Sequence, residues 1–289
     1  MTRQPLAYLN PEFLESDQAR AIRILSEYFE PLGRFEEEKI QDTVVFFGSA
    51  RMRSRVFAES ARDRLKARLH ARGPRSESAQ SALARAEQAV EWSRYYEDAR
   101  ELARLLTEWT SSLDFPNHRF VVCSGGGPGI MEAANRGAHE AGGKTIGLNI
   151  RLPFEQGSNR YITKSLLFEF HYFFMRKFWF AYLAKALVVF PGGFGTFDEL
   201  FEILALMQTR KLRKRVLVML YGSDYWKTVV DFQAMVRHGA IAAEDVNLLT
   251  LVDDPTQAYE TLKAELIAQH LLPQMAQERR APGIAKTRA

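Results

Sequence analysis

The chain has 289 residues, 46% of them hydrophobic and 26% charged, a composition typical of a globular protein with room for one large domain or two small ones. A formal net charge of +4 allows anionic ligands without requiring nucleic acid, and the single cysteine, Cys123, excludes an internal disulfide framework and favours a cytoplasmic location. No cleavable signal is expected in residues 1–10, and charges interrupt the most apolar stretch, 166–190, so no membrane-spanning helix is expected either.

Apolar periodicity predicts strands and helices in alternation along the chain. Strands are predicted at residues 43–47, 120–123, 145–148, 186–190, 216–221 and 248–252. Helices are predicted at residues 11–30, 53–71, 79–110, 130–141, 167–183, 197–209, 225–238 and 255–269. Strands separated by helices indicate an α/β fold in which a doubly wound parallel sheet carries flanking helices.

Three segments organise this fold. We predict an N-terminal helical arm at 1–40, a main domain at 41–270 with a helical insertion at about 52–93, and a flexible C-terminal tail at 271–289. The stretch 51–75 carries nine Arg or Lys residues against two acidic residues. We interpret it as a solvated helix surface, with a phosphate-collecting or nucleic-acid-binding surface as the alternative.

Three turns rich in glycine or serine follow predicted strands, at 48–50, 124–129 and 191–196. Ligands of doubly wound sheets bind at the carboxyl ends of the strands. We therefore expect the three turns to share one edge of the sheet and to form the binding site.

The segment 191–199, Pro-Gly-Gly-Phe-Gly-Thr-Phe-Asp-Glu, lies where a predicted strand turns into a predicted helix. Glycines allow a ligand to approach the backbone closely, and the N–H groups and positive dipole at a helix start favour a phosphate. A carboxylate three residues after the threonine would repel that phosphate unless it serves the chemistry. The segment therefore predicts a phosphorylated ligand next to a catalytic glutamate, Glu199.

Other nucleotide and metal motifs are incomplete. Residues 125–130 approach the dinucleotide-binding pattern GxGxxG, but the third glycine is misplaced. Residues 143–145 imitate the end of a Walker A loop, but they follow a predicted helix rather than a strand. Cys and His residues lack the spacing of a metal site. Neither a metal nor a cofactor is expected.

Three segments in this order, SGGGPGIMEAAN at 124–135, MRK at 175–177 and PGGFGTFDE at 191–199, resemble the LOG ("Lonely guy") family. Its members are cytokinin riboside 5′-monophosphate phosphoribohydrolases and related nucleotide nucleosidases, often labelled lysine decarboxylase-like. The resemblance covers roughly 43–50 and 95–270. It implies a Rossmann-like fold and hydrolysis of the bond between a base and ribose 5′-phosphate. A pyridoxal-type lysine context, which a decarboxylase would need, is not recognisable.

The resemblance also assigns catalytic roles. Cleavage of an N-glycosidic bond passes through an oxocarbenium-like state, which a carboxylate can stabilise while it positions or deprotonates a water molecule. Glu199 matches the family's catalytic carboxylate, and Arg176 matches a second catalytic residue that contacts the substrate and holds Glu199. The alternatives are a helix-dipole carboxylate for Glu199 and a solvated charge for Arg176. Phe173 and Asp198 stand where the family usually has methionine and glutamate.

Further residues are expected to bind the substrate. The N–H groups of the 191–196 turn and the Thr196 hydroxyl should hold the phosphate, and the 125–127 glycines should make room for the nucleotide. The predicted substrate-binding residues are Ser49, Gly125, Gly126, Gly127, Glu132, Lys177, Gly192, Gly193, Gly195 and Thr196. Turn hydrogen bonding for Ser49, helix capping for Glu132 and simple surface exposure for Lys177 are the open alternatives.

Aromatic residues surround the predicted helix 167–183 on almost every side. A helix that is apolar all round is buried, so we expect a core on one side and a subunit interface on the other. The expected partners are a nucleotide substrate and a second copy of the chain in a homodimer or larger assembly, with no membrane and no nucleic acid.

Two functions are consistent with these features. The first is an N-glycosidase that releases the free base and ribose 5-phosphate from AMP or a cytokinin riboside monophosphate. The alternative is a non-catalytic nucleotide or molybdenum-cofactor carrier on the same fold, because a fold does not determine a function. The pair Arg176 and Glu199 distinguishes them, since a carrier would not need it.

Overall fold

The computed structural model describes residues 4–71, 77–153, 157–212 and 214–272. In chain order the strands are Thr43–Phe47 (β1), Val121–Ser124 (β2), Thr145–Ile150 (β3), Leu167–Phe170 (β4), Ala184–Val189 (β5), Leu217–Tyr221 (β6) and Leu249–Val252 (β7). They form one sheet in the order β4-β3-β2-β1-β5-β6-β7, with every neighbouring pair parallel. The chain crosses from one side of β1 to the other after β4, so the predicted doubly wound, Rossmann-like fold is confirmed.

Helices cover both faces of the sheet. The α-helices are Pro11–Glu15 (α1), Arg20–Glu37 (α2), Arg55–Ala71 (α3), Glu77–Ser111 (α4), Ile130–Glu140 (α5), Phe173–Leu183 (α6), Phe194–Gln208 (α7), Ser223–Val229 (α8), Phe232–Arg237 (α9) and Pro255–Leu266 (α10). Helices α2, α6, α7 and α8 pack on one face, and α4, α5 and α10 pack on the other.

Strand β1 shows how the two cores form. Side chains of a strand alternate between the two faces of a sheet. Val45 and Phe47 accordingly join the core under α6, whereas Val44 and Phe46 join the core under α4 and α5. All residues of β1 are buried because helices cover both faces, which explains the uninterrupted apolar sequence.

The predicted helix 167–183 is wrong in its first part. Leu167–Phe170 is the edge strand β4, in which Phe168 and Phe170 are buried and Glu169 is exposed. This alternation has the period of two that a strand requires. The surrounding aromatic residues hid the change of period, so the sequence prediction missed a strand and began helix α6 six residues too early.

Other predicted helices are divided. The prediction at 225–238 becomes α8 and α9, because Val230 is extended and the carboxylate of Asp231 accepts the Ala234 N–H at 2.8 Å to start a new helix. The prediction at 11–30 becomes α1 and α2. The end of the prediction at 255–269 is a π-helical turn, Ile267–Leu271.

The predicted insertion contains α3 and the first half of α4, which pack against each other. The buried residues of α4 begin only at Ser93, where the helix reaches the core. Residues 72–75 of the basic stretch and 273–289 of the predicted tail lie outside the described residues, and the domain boundaries stay predictions. None of the described helices combines the length and apolar character needed to cross a bilayer.

Candidate active site

The three predicted turns meet at the carboxyl edge of the sheet, because β2, β1 and β5 are neighbours. The Ser49 N–H donates to the Pro191 carbonyl at 3.0 Å, and the Ser49 carbonyl accepts the Ile130 N–H at 3.1 Å. A side chain at Gly129, whose φ is +73°, would collide with this Ser49 carbonyl. The backbone of Ser49 therefore joins the other two turns into one rim, as predicted.

The turn after β5 leads directly into helix α7. Gly193 is the N-cap of that helix, and Gly193 and Gly195 both face open space. The N–H groups of Gly192, Gly193 and Gly195 have no acceptor among the residues that the structure describes. Three amides that lack partners at a helix start are suited to an anion.

Thr196 requires a correction. Its N–H was expected to hold the phosphate, but it donates to the Gly193 carbonyl at 2.9 Å, as the first turn of the helix demands. The Thr196 side chain is buried against Gly192, where an added Cβ would overlap it. The threonine therefore holds the shape of the turn, and its hydroxyl is the atom left for a ligand.

Arg176 and Glu199 are brought together by α6 and α7. Arg176 Nη2 lies 3.0 Å from Glu199 Oε1, and the two side chains are 15% and 6% exposed. Burial raises the pKa of Glu199, and the charges of Arg176 and Lys177 oppose this increase. The guanidinium lies over the rings of Phe173 and Phe180, at 5.4 and 5.6 Å from their centres. The result is a carboxylate with little solvent around it, held in place by a cation.

Arg176 has one N–H donor that forms no hydrogen bond with the described residues. Its Nε is buried and has no hydrogen-bond partner within the described part of the chain. A buried guanidinium normally uses its N–H groups, so this unpaired donor is a candidate contact for a substrate oxygen.

Lys177 is occupied by acidic residues of α7. Its Nζ lies 2.7 Å from Asp198 Oδ1 and 2.9 Å from Glu202 Oε2. The predicted contact with substrate would require these pairs to open. In the present arrangement Lys177 ties α6 to α7 and supports the neighbouring Arg176–Glu199 pair.

The glycine turn after β2 is fixed by hydrogen bonds from Asn159, a side chain that the sequence analysis missed. Asn159 Nδ2 donates to the carbonyls of Gly126 and Gly127 at 3.1 and 3.0 Å, and it also contacts Asn135 Oδ1 at 2.9 Å. Gly125, Gly126 and Gly127 are all buried. Asn135 is part of the 124–135 motif, but Asn159 lies far along the chain, and no local pattern marks it.

The remaining predicted residues form local hydrogen bonds. Ser49 Oγ accepts the Arg51 N–H at 3.1 Å, which is the turn bond given above as its alternative. Glu132, in the first turn of α5, accepts the Tyr96 hydroxyl at 2.9 Å. Both residues lie on the rim, and their contact with a ligand stays a prediction. Tyr225, also missed, donates its hydroxyl to the Gly192 carbonyl at 2.5 Å.

The described residues contain no group of three or more His, Cys, Asp or Glu side chains able to hold a metal ion. The site consists of a glycine-lined helix start and a buried Arg–Glu pair. It offers hydrogen-bond donors for an anion and, on the same helix, the buried carboxylate of Glu199.

A family model described as "Possible lysine decarboxylase" matches residues 131–262, which include the 175–177 and 191–199 segments. Two curated proteins of Oryza sativa subsp. japonica are similar to the chain. Probable cytokinin riboside 5′-monophosphate phosphoribohydrolase LOG4 is 29% identical over 46% of this chain and 58% of its own length. Probable cytokinin riboside 5′-monophosphate phosphoribohydrolase LOGL2 is 26% identical over 52% of this chain and 61% of its own length. The match therefore spans about three fifths of each relative.

Solved structures with a similar backbone fold include a protein that binds the molybdenum cofactor and one that carries it. The cofactor-binding protein of Rippkaea orientalis is 20% identical, with a TM-score of 0.40 over 59% of this chain and 86% of that chain. The Moco carrier protein of Chlamydomonas reinhardtii is 19% identical, with a TM-score of 0.44 over 78% and 99%. Similarity at this level indicates neither a shared ligand nor a shared activity. The family model, the curated relatives and the three motif segments agree, and all of them indicate similarity to the LOG family.

Proposed function

We propose that the protein hydrolyses the N-glycosidic bond of a nucleoside 5′-monophosphate to give the free base and ribose 5-phosphate. The observation that carries the proposal is the buried Arg176–Glu199 pair, one helical turn beyond the glycine-lined start of α7. A phosphate bound at that helix start would share helix α7 with this carboxylate, which is why we expect the ribose to approach Glu199. Binding alone would not require a buried negative charge so close to a phosphate.

In the proposed reaction, water adds to C1′ of the ribose as the bond from C1′ to the base nitrogen breaks. The electron pair of that bond leaves with the base, which takes up a proton. Positive charge develops on the sugar, and the Glu199 carboxylate stabilises it and accepts the proton of the attacking water. Burial strengthens this electrostatic effect because little solvent screens it.

Two observations indicate the role of Arg176, namely its ion pair with Glu199 and its unpaired Nε. Burial favours the neutral form of Glu199, and the guanidinium at 3.0 Å favours the charged form that the reaction needs. The unpaired Nε is free to bind a ribose or phosphate oxygen of the substrate. Arg176 therefore both keeps the carboxylate ionised and orients the substrate.

The base is proposed from the relatives. Both curated relatives are named as probable phosphoribohydrolases of cytokinin riboside 5′-monophosphate. We propose AMP or an N6-substituted AMP as the substrate of this chain. A cytoplasmic site of action is proposed because Cys123 lies as a free thiol in β2.

We also propose a homodimer or larger assembly. Helix α6 exposes Phe173, Phe174, Phe178 and Tyr182. Helix α2 beside it exposes Ile22, Leu25 and Phe29, and Tyr28 connects the two helices through a ring contact with Phe178 at 5.7 Å. An apolar surface shared by two helices favours burial against a second copy. The aromatic residues of β4, Phe168 and Phe170, lie in the core and do not contribute to this surface.

Incubation of the full chain with AMP, N6-isopentenyl-AMP, GMP, CMP and UMP, followed by chromatography of the free base, tests the proposed reaction. Release of adenine or its N6-substituted form, with ribose 5-phosphate in equal amount, is expected. Glu260→Gln, which removes an exposed carboxylate of α10, should release base at the wild-type rate. Nucleotide binding without base release from any monophosphate would contradict hydrolysis and favour a carrier.

A further inference from the structure

A cavity of about 330 Å³ lies at the opposite edge of the sheet from the candidate active site. It opens between the amino ends of β5 and β6 and helix α10. Its lining includes Lys185, Arg215, Asn247, Gln269 and His270. Lys185 is the second residue of β5, whose other end leads into the 191–196 turn, so the two sites lie at opposite ends of one strand.

Positive charges outnumber negative ones among the groups that interact with Lys185, which lines this cavity. Asp42 and Arg119 form a buried ion pair, with Arg119 Nε and Nη2 at 2.9 and 2.8 Å from Asp42 Oδ2. The other oxygen, Asp42 Oδ1, accepts the Phe120 N–H at 2.6 Å. Both carboxylate oxygens are thus in use, while Lys185 and Lys214 add two further positive charges nearby.

Only one of these two lysines has partners for its ammonium group within the described residues. Lys214 Nζ donates to the carbonyls of Ala181 and Tyr182 at 2.6 and 2.7 Å, at the end of α6. Lys185 forms no hydrogen bond or ion pair with the part of the chain that the structure describes, and Asp42 attracts it only through space. The Lys185 ammonium is therefore available to an anionic ligand in the cavity that its side chain lines.

Burial and the neighbouring cations act together on the titratable groups around Lys185. Burial lowers the pKa of Lys185, with Asp42 opposing the decrease and Arg119 adding to it. Burial and then Lys185 lower the pKa of Lys214 to about 7, with Asp42 opposing the decrease. Burial, together with Lys185, Arg119 and Lys214, lowers the pKa of His270 to about 4. An anion in the cavity would relieve this repulsion.

We propose that the cavity binds a small ligand bearing a phosphate or carboxylate group, with Lys185 and Arg215 supplying the positive charge. Gln269, which accepts Arg215 Nη1 at 3.1 Å, and Asn247 provide side-chain amides for further hydrogen bonds. The one acidic residue of the lining, Glu265, is exposed, so solvent screens its repulsion. The proposal is independent of the reaction proposed for the opposite edge.

Calorimetric titration of the full chain with inorganic pyrophosphate and, separately, with citrate tests this site. Lys185→Met and Arg215→Gln should each weaken binding of the preferred anion by about tenfold or more, which corresponds to roughly 1.4 kcal/mol. Lys227→Met, which removes an exposed lysine of α8, should bind as wild type does. Because none of these variants alters the 191–196 turn, anion binding there is the same in all of them and cancels in the comparison.

Arg215 is exposed, so its variant retains the fold even if Lys185→Met does not. Preference for pyrophosphate would identify a phosphorylated ligand, and preference for citrate a carboxylic acid. Absence of binding at millimolar concentrations of both anions would overturn the proposal. Equal affinity of wild type, Lys185→Met and Arg215→Gln would also overturn it.

Discussion

Arg176 on α6 and Glu199 on α7 form a largely buried ion pair, with 3.0 Å between Nη2 and Oε1. Removal of one member of a buried pair leaves an unpaired charge, which typically destabilises a protein by about 3–5 kcal/mol. Arg176→Met is therefore expected to lower stability, as measured by urea unfolding. It should also lower kcat for AMP on the order of 100-fold, because the carboxylate loses its orientation.

The double variant Arg176→Met/Glu199→Gln separates the two effects. It removes the unpaired charge, so stability should largely return while activity stays low. If Arg176→Met alone has wild-type stability and kcat, the pair is neither structurally nor catalytically important.

We expect the pH profile of the hydrolysis rate to have an acid limb that is set by ionisation of Glu199. Burial raises the pKa of Glu199 above its ordinary value, and the reaction requires the ionised form. The rate should therefore fall as pH drops through a pKa higher than that of an exposed glutamate. Arg176→Met should move this limb to still higher pH. A limb at the pKa of an exposed glutamate in both proteins would contradict the assignment.

The same shift has a consequence for folding. Because the folded-state pKa is higher than the unfolded one, Glu199 destabilises the fold fully at pH values above its folded pKa. This penalty disappears as pH falls through the folded pKa toward the unfolded one. Glu199→Gln should remove that part of the pH dependence, which unfolding curves across the acidic range would measure.

Gly192 is predicted to be essential for phosphate recognition. A methyl group at this position overlaps the Thr196 side chain, so Gly192→Ala must distort the turn. Remote binding energy supports the chemical step, so kcat/KM for AMP should fall. The value for adenosine, which has no phosphate for the turn to hold, should change little. Gly33→Ala is the matched control, because an added Cβ there meets no atom within 4 Å. An unchanged preference for AMP over adenosine in Gly192→Ala would show that the phosphate binds elsewhere.

The exposed aromatic face of α6 predicts the assembly. Phe174 is 50% exposed, and Phe174→Glu places a charge in the proposed interface. Light scattering should show a dimer or larger species for wild type and a smaller species for the variant. Val56→Glu, at a position on α3 that is 78% exposed, should not change the mass. A wild-type monomer that is fully active at micromolar concentration would contradict a functional dimer.

Much of the fold could be predicted because apolar runs and glycine turns are local signals. The run Thr43–Phe47 and the turns beginning at Gly48, Ser124 and Pro191 predicted β1 and the shared rim, and the structure places them together. The pairing of Arg176 with Glu199 was expected from the family resemblance, and the structure supplies its geometry.

The rest depends on how distant segments return to the site. Asn159 reaches Gly126 and Gly127 across more than thirty residues, and the acidic neighbours of Lys177 lie on another helix. No periodic pattern encodes such contacts. Strand β4 was missed for a different reason, because aromatic residues on both sides of it masked its alternation.

The most direct test of the account compares Glu199→Gln with wild type in single-turnover hydrolysis of AMP, together with calorimetric binding of AMP. The substitution keeps the shape of Glu199 and removes its charge, so AMP should still bind within a few-fold of wild type. Base release should fall by about 100-fold or more. The exposed variant Glu260→Gln should match wild type in both measurements. Base release by Glu199→Gln within a few-fold of wild type would contradict the central claim that this carboxylate carries the reaction.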